Sequence, residues 1–270
     1  GSAMLRILAV IAVTSLAAPA FAAATDWQEI APGVKARLIS SDTLVDGVTL
    51  AGLELDMPAG TNTYWRTPGE TGIPTEFDFS ASSGVVDPMV HWPYPQIDRS
   101  RGYMDYAYYG PVVLPFEFGA EAGPAVLDVA VTLGICSDIC VPATAKLTLP
   151  LDFATPDAAQ AIRLDQAMAT TPILWDQPGK PFGSVEAGLD GSLHLLSPNA
   201  AIDPQSVIAA LDDPAILFEA PQKSPDGALW TLRPLGGAAE KELEGSSVQL
   251  TFETPEGPYA VTYLIAPSQP

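Results

Sequence analysis

The chain has 270 residues, 47% of them hydrophobic, and a formal net charge of −20 at pH 7. That length and apolar content support a large folded core, and the acidic balance excludes nucleic acid and anionic lipid as partners, because both repel a negative surface. The 27 prolines and 22 glycines place turns often along the chain, which suits short strands better than long helices.

In chain order, Gly1-Ser2-Ala3 ahead of Met4 reads as a cloning scar. Arg6, the apolar run from Ile7 to Leu16 and the small residues up to Ala20-Phe21-Ala22 follow the pattern of a secretory signal peptide, with cleavage expected after Ala22. A retained anchor is the rival reading, but the run is shorter than the ~20 apolar residues that span a bilayer. Loss of Arg6 with this leader takes the net charge from −20 to −21. No later stretch could span a bilayer, so the expectation is an exported protein of a bacterial-type periplasm without stable membrane insertion.

From Val34 to Leu151 strand follows strand. Leu53, Leu55 and Met57 alternate with polar or small residues, as do Phe77 and Phe79, and the run Val113 to Phe118 adds another. Pro58-Ala59-Gly60, Pro68-Gly69 and the stretch 119–124 punctuate them as turns. The pattern predicts an immunoglobulin-like β-sandwich over residues 23–152. Thr155-Pro156-Asp157 then reads as a helix start, with Thr155 as N-cap, and the helix is expected to end near Ala169, ahead of Pro172. The helix and the proline-rich stretch after it form an expected linker over 153–182. Segments such as "GSLHLLS", "ALWTLRPL" and "SSVQLTFET" predict a second, smaller β-sandwich domain over 183–270, so the fold class is all-β.

The stretch Thr132–Leu149 holds both cysteines of the chain, Cys136 and Cys140. The apolar residues before the pair, Leu127 through Ile135, fall on odd positions, as do Ala145 through Leu151 after it. Side chains alternate across a strand, so both cysteines are expected on the less buried face, with Cys136 the firmer assignment because Pro142 could shift the second strand. Ser137-Asp138-Ile139 would form a hairpin tip, across which a disulfide fits. As a staple such a bridge is weak, about 2 kcal/mol for about five enclosed residues against about 4.7 for a hundred-residue loop. As a zinc site it lacks ligands. A Cu(I) site using the pair with Met89, Met104 or His91 is chemically allowed. The residues alone leave staple, redox pair and metal site open.

"GICSDICVPATAKL", taken with "TYWRTPGETGIPTEFDFS", "VHWPYP" and "YGPVVLPFEF", resembles the N-terminal periplasmic region of DsbD-type thiol:disulfide interchange proteins, and within them the ScsB branch named for suppression of copper sensitivity. The resemblance spans roughly residues 30–150 and implies an immunoglobulin-like domain that takes electrons from a membrane electron-transfer protein. It hands them to thioredoxin-like periplasmic proteins. By that likeness Cys140 forms the mixed disulfide and Cys136 resolves it. The family's shielding cap loop matches "IDRSRGYMDYAYYG", with Tyr103, Tyr106 and Tyr108 as cap or partner-facing candidates. Two departures accompany the likeness. The pair is more closely spaced than in the best-known members, and the chain holds no C-x-x-C motif or electron-carrying membrane segment, so a separate protein is expected to reduce it.

No Arg, Lys or His stands in the tip and Asp138 adds a like charge, so the thiols are expected near their ordinary pKa or above it. Trp65-Arg66 and Trp92 read as core or rim packing. No Ser-His-Asp order, P-loop or nucleotide-binding glycine fingerprint is present. The reading is a thiol–disulfide exchange module that needs no cofactor, of protein-disulfide reductase type if it is an enzyme. The alternative is a copper-handling or protein-interaction module whose disulfide is structural.

Overall fold

Period-two alternation lets each of two sheets turn one apolar face toward the other. The computed structural model describes residues 23–121, 123–236 and 243–268, so the signal-peptide expectation lies outside the described residues. The first part of the chain forms β1 (Gln28–Ala31), β2 (Val34–Ser40), β3 (Val48–Asp56), β4 (Asn62–Gly69), β5 (Glu76–Asp78) and β6 (Val86–Val90). It continues with β7 (Gln96–Asp98), β8 (Asp105–Tyr109), β9 (Val112–Gly119), β10 (Ala125–Cys136) and β11 (Cys140–Leu151). One sheet runs in the order β1, β2, β3, β9, β6, and the other runs β11, β10, β4, β8, β7, with β5 also on β10. Leu38, Leu53, Leu55 and Phe116 from the first meet Trp65, Tyr106, Leu127 and Val129 from the second in one buried cluster. This is the all-β, immunoglobulin-like sandwich.

The hairpin of β10 and β11 pairs without interruption from Ala125 opposite Leu151 to Cys136 opposite Cys140. Its odd positions Leu127, Val129, Val131, Leu133 and Ile135 are all buried, as parity requires.

Helix α1 spans Ala158–Ala169. Its N-cap is Asp157, whose carboxylate accepts from the Gln160 backbone N–H at 3.1 Å, rather than the expected Thr155. An aspartate whose side chain reaches the N3 amide satisfies a donor that the helix leaves orphaned, and that sets the start two residues later. The helix ends at Ala169 as expected. It packs on the first sheet: Leu164 is fully buried, and Gly52 of β3 makes room for it, since a Cβ there would sit 3.0 Å from Leu164 Cδ2. Burial of such a leucine contributes about 1.5–3 kcal/mol. Glu54 of β3, 4% exposed, is held by Arg37 of β2 at 3.2 Å and by Arg163 of the helix. A buried carboxylate needs such partners, so the helix is an integral layer on the sandwich.

The rest of the chain forms a second sandwich with shorter strands. Ile173–Leu174, Gly257–Leu264, Ser247–Thr254 and Ile208–Ala210 make one sheet in that order. Gln222–Lys223, Leu229–Leu232, Leu193–Leu196, Ser184–Ala187 and Ala266–Pro267 make the other. Phe182, Trp230, Leu250 and Phe252 anchor its core. The two units touch: Tyr94 Oη donates to the Ser206 carbonyl at 2.5 Å, and Ile208 and Leu217 join the core cluster of the first unit.

Candidate functional site

Cys136 and Cys140 close the end of the β10–β11 hairpin as a disulfide, with Cα atoms 4.0 Å apart. Both lie on the outer face of their sheet, as parity predicts, and Cys140 is exposed as expected, but Cys136 is not. Cys136 is 0% exposed, whereas Cys140 is exposed. The reason is a cover that strand parity does not report. Cys136 pairs with Asn62 of β4, and Asn62 and Tyr64 pair with Tyr109 and Ala107 of β8, so these side chains share its face. Tyr64, Ala107 and Cys136 form a small buried cluster, with Ile73 and Tyr109 packed against it. Gly134 admits Ile73, because a Cβ at 134 would stand 2.6 Å from Ile73 Cβ. Cys140 lies on β11, which ends the sheet among the described residues.

The Tyr64 hydroxyl donates to Cys136 Sγ at 3.0 Å and lies 3.8 Å from Cys140 Sγ. Burial pushes Tyr64 above the ordinary phenol value, so it remains a donor throughout the physiological range. Tyr109 is pushed up to about 12, first by burial and then by the hydrogen bond it donates to Asp98. Burial acts upward on Asp98, but hydrogen bonds from Ser100 and Tyr109 leave its carboxyl below the usual range. From the loop after β7, Arg101 donates to the Ser137 carbonyl at 3.1 Å. The tip sequence has no cation of its own, yet the fold brings one there. An incoming thiolate has access to Cys140 Sγ and is screened from Cys136 Sγ.

Of the three cap candidates, only Tyr103 is exposed, at 55%, on the loop that carries Arg101. Tyr106 and Tyr108 are corrections. They are 2% and 6% exposed, Tyr106 lies edge-on to Trp65 in the core, and the Tyr108 hydroxyl donates to the Pro93 carbonyl. On β8 the residues opposite in phase, Ala107 and Tyr109, face the disulfide. Tyr64 and Tyr109 were legible in principle: once Trp65 and Tyr106 are core, their neighbours in phase must be outside. The soft ligands weighed for Cu(I) are not assembled at the pair. Met89 is on β6 and His91 just follows it, in the opposite sheet, while Met104 is buried at 4% exposure in the core. Among the described residues no helix is long and apolar enough to cross a membrane.

Residues 30–152 match the family model described as thiol:disulfide interchange protein DsbD, N-terminal. That segment is similar to the DsbD N-terminal domain family. The disulfide site thus sits in a thiol–disulfide interchange module. The chain also shares its fold with the N-terminal periplasmic domain of ScsB from Proteus mirabilis, with a TM-score of 0.68 and 23% identity over 91% of this chain and 99% of that one. The adhesin domain of Epf from Streptococcus pyogenes aligns over 88% of this chain and 78% of its own, with 7% identity and a TM-score of 0.26. No curated protein matches the chain. Beyond residues 30–152, the likeness to the ScsB structure takes in the second sandwich, so the two-unit fold is shared.

Proposed function

We propose that this chain is a periplasmic exchange module that accepts electrons from a membrane reductase and passes them to thioredoxin-like proteins through Cys136 and Cys140. In this reading residues 23–152 carry the chemistry, 153–182 join the units, and 183–270 form the second domain. The observation that carries it is the one-sided exposure of the disulfide, with Cys140 open and Cys136 beneath Tyr64. The leader-like sequence and the likeness to a periplasmic domain support the location.

A donor thiolate attacks Cys140 Sγ, the Cys136–Cys140 bond breaks, and its electron pair remains on Cys136 Sγ. The Tyr64 hydroxyl, already directed at that sulfur, stabilises the developing thiolate; hydrogen bonds to charged acceptors are the strong ones. The donor's second thiolate then attacks its own sulfur in the mixed disulfide and frees Cys140. After uptake of two protons the module is a dithiol and the donor a disulfide. Delivery reverses these steps, with Cys140 attacking the client disulfide and Cys136 resolving it. No Arg, Lys or His stands in the tip itself, so docking supplies the activation, with Arg101 the cation that the fold brings to the tip.

Replacing Cys136 with Ala should let Cys140 trap a partner as a stable mixed disulfide from periplasmic extract, while Cys140→Ala traps none. Equal trapping by both variants, or by neither, sinks the assignment. The reduction potential provides a second check, since a value below about −300 mV marks a bridge that is structural rather than exchanging.

A further inference from the structure

Two sequence features that the disulfide chemistry leaves unused, Trp65-Arg66 and Val90-His91-Trp92, meet at the junction of the two units. They line one side of a cavity of about 200 Å³, and Gln249 and Thr251 of the second sandwich line the other. The cavity is rich in donors. Arg66 offers five N–H groups and no acceptor. Its contacts are the Gln249 side-chain oxygen and the Trp65 ring, whose centroid lies 4.4 Å from the guanidinium carbon. The ion pairs among the described residues join Arg37 and Arg163 to Glu54 and His91 to Glu117, which leaves Arg66 without a carboxylate. Burial pulls its pKa down, as expected of a desolvated cation that lacks a counter-charge.

Trp65 is 1% exposed, and its indole N–H, a donor only, has no acceptor. Buried donors are matched in the great majority of native structures, so the orphaned Trp65 N–H and the guanidinium without a carboxylate point to a missing acceptor.

We propose that this junction cavity binds a small carboxylate anion, held by Arg66 with help from the Trp65 indole N–H, and that the anion bridges the two units. The planar guanidinium fork fits a carboxylate with two parallel hydrogen bonds. The remaining wall is mixed, with Thr171 and Thr251 beside an apolar part formed by Val90, Trp92, Pro172 and Ala260 that accommodates a short hydrocarbon tail. The volume equals roughly seven waters at ~30 Å³ each, enough for an anion the size of propionate. A tetrahedral sulfate or phosphate would set at least one outer oxygen toward Val90, Trp92, Pro172 or Ala260.

The test is a titration of the ¹⁵N-labelled chain with propionate, sulfate and chloride, following the Trp65 indole N–H resonance, assigned with Trp65→Phe. Propionate should shift it saturably, and Arg66→Gln should abolish that shift, while Trp27, Trp175 and Trp230, which lie outside the cavity lining, stay in place. Thermal unfolding supplies a second readout that does not depend on either variant folding well: the wild-type Tm should rise with the logarithm of propionate concentration, as specific binding to the native state requires. Sulfate acting as strongly as propionate overturns the carboxylate assignment. No saturable shift, or the same shift in Arg66→Gln, means that the cavity holds only water and overturns the site.

Discussion

The root and the tip of the β10–β11 hairpin are one continuous antiparallel ladder with the same phase, yet their outer faces differ. At the root, Thr132, Thr144, Lys146 and Thr148 are exposed, and Thr148 donates to the Asp128 carboxylate at 3.0 Å in solvent. At the tip, Gly134 and Cys136 on that same outer face are covered by Ile73, Tyr64 and Tyr109. Strand phase therefore selects a face, and what packs on that face decides whether a side chain is buried. Here the difference turns a symmetric cysteine pair into an asymmetric one.

The largest effect expected from this contrast is at Gly134. Gly134→Val would force its side chain into Ile73, costing about 1–3 kcal/mol as overpacking does, and should raise the alkylation rate of reduced Cys136. Thr132→Val, two residues toward the root on the same face, should change stability by less than about 0.5 kcal/mol. Urea unfolding of both variants checks the pair, and equal losses would erase the distinction.

Next comes Tyr64→Phe, which keeps the cover but removes the donor to Cys136 Sγ. Reduction by a thiol partner should slow by about tenfold, the equivalent of ~1.4 kcal/mol for a hydrogen bond to a developing charge, with Cys136 still slower to alkylate than Cys140. An unchanged stopped-flow rate would reduce Tyr64 to packing.

A smaller effect concerns pH. Tyr109, raised to about 12 from the ordinary value of 10, contributes stability that is fully present below pH 10 and is lost as pH rises through 12. Thermal melts of Tyr109→Phe should therefore fall less than those of the wild type across that window, whereas Thr148→Val at the root should follow the wild type. The smallest change is expected for Arg101→Ala. Its exposed hydrogen bond to the Ser137 carbonyl is worth about 0.5 kcal/mol, and loss of this cation beside the tip should slow reduction of the disulfide by a small thiol by only about twofold.

Much of this architecture is readable from residue order. Alternation along Leu127–Ile135 and Ala145–Leu151 predicts the ladder, and the three residues between the cysteines predict the tip, because period-two patterning and turn length are local properties. The helix start was misplaced by two residues because Thr155 and Asp157 are both good caps, and only backbone geometry chooses between them. The burial of Cys136 and the inward turn of Tyr106 and Tyr108 were missed because they depend on β4 and β8 lying beside β10 and on the phase of β8 within that sheet.

The sequence by itself determined the sandwich class, the placing of Cys136 and Cys140 across a hairpin end where a disulfide fits, and the resemblance that names the chemistry. Tertiary structure alone decided which sulfur is open, which tyrosine touches it, how the helix is clamped through Glu54, and that Arg66 meets Gln249 from 183 residues away. The physical reason is range. Alternation, turns and caps act over a few residues, whereas burial and electrostatic environment are set by whichever distant strands the closed sheets bring alongside.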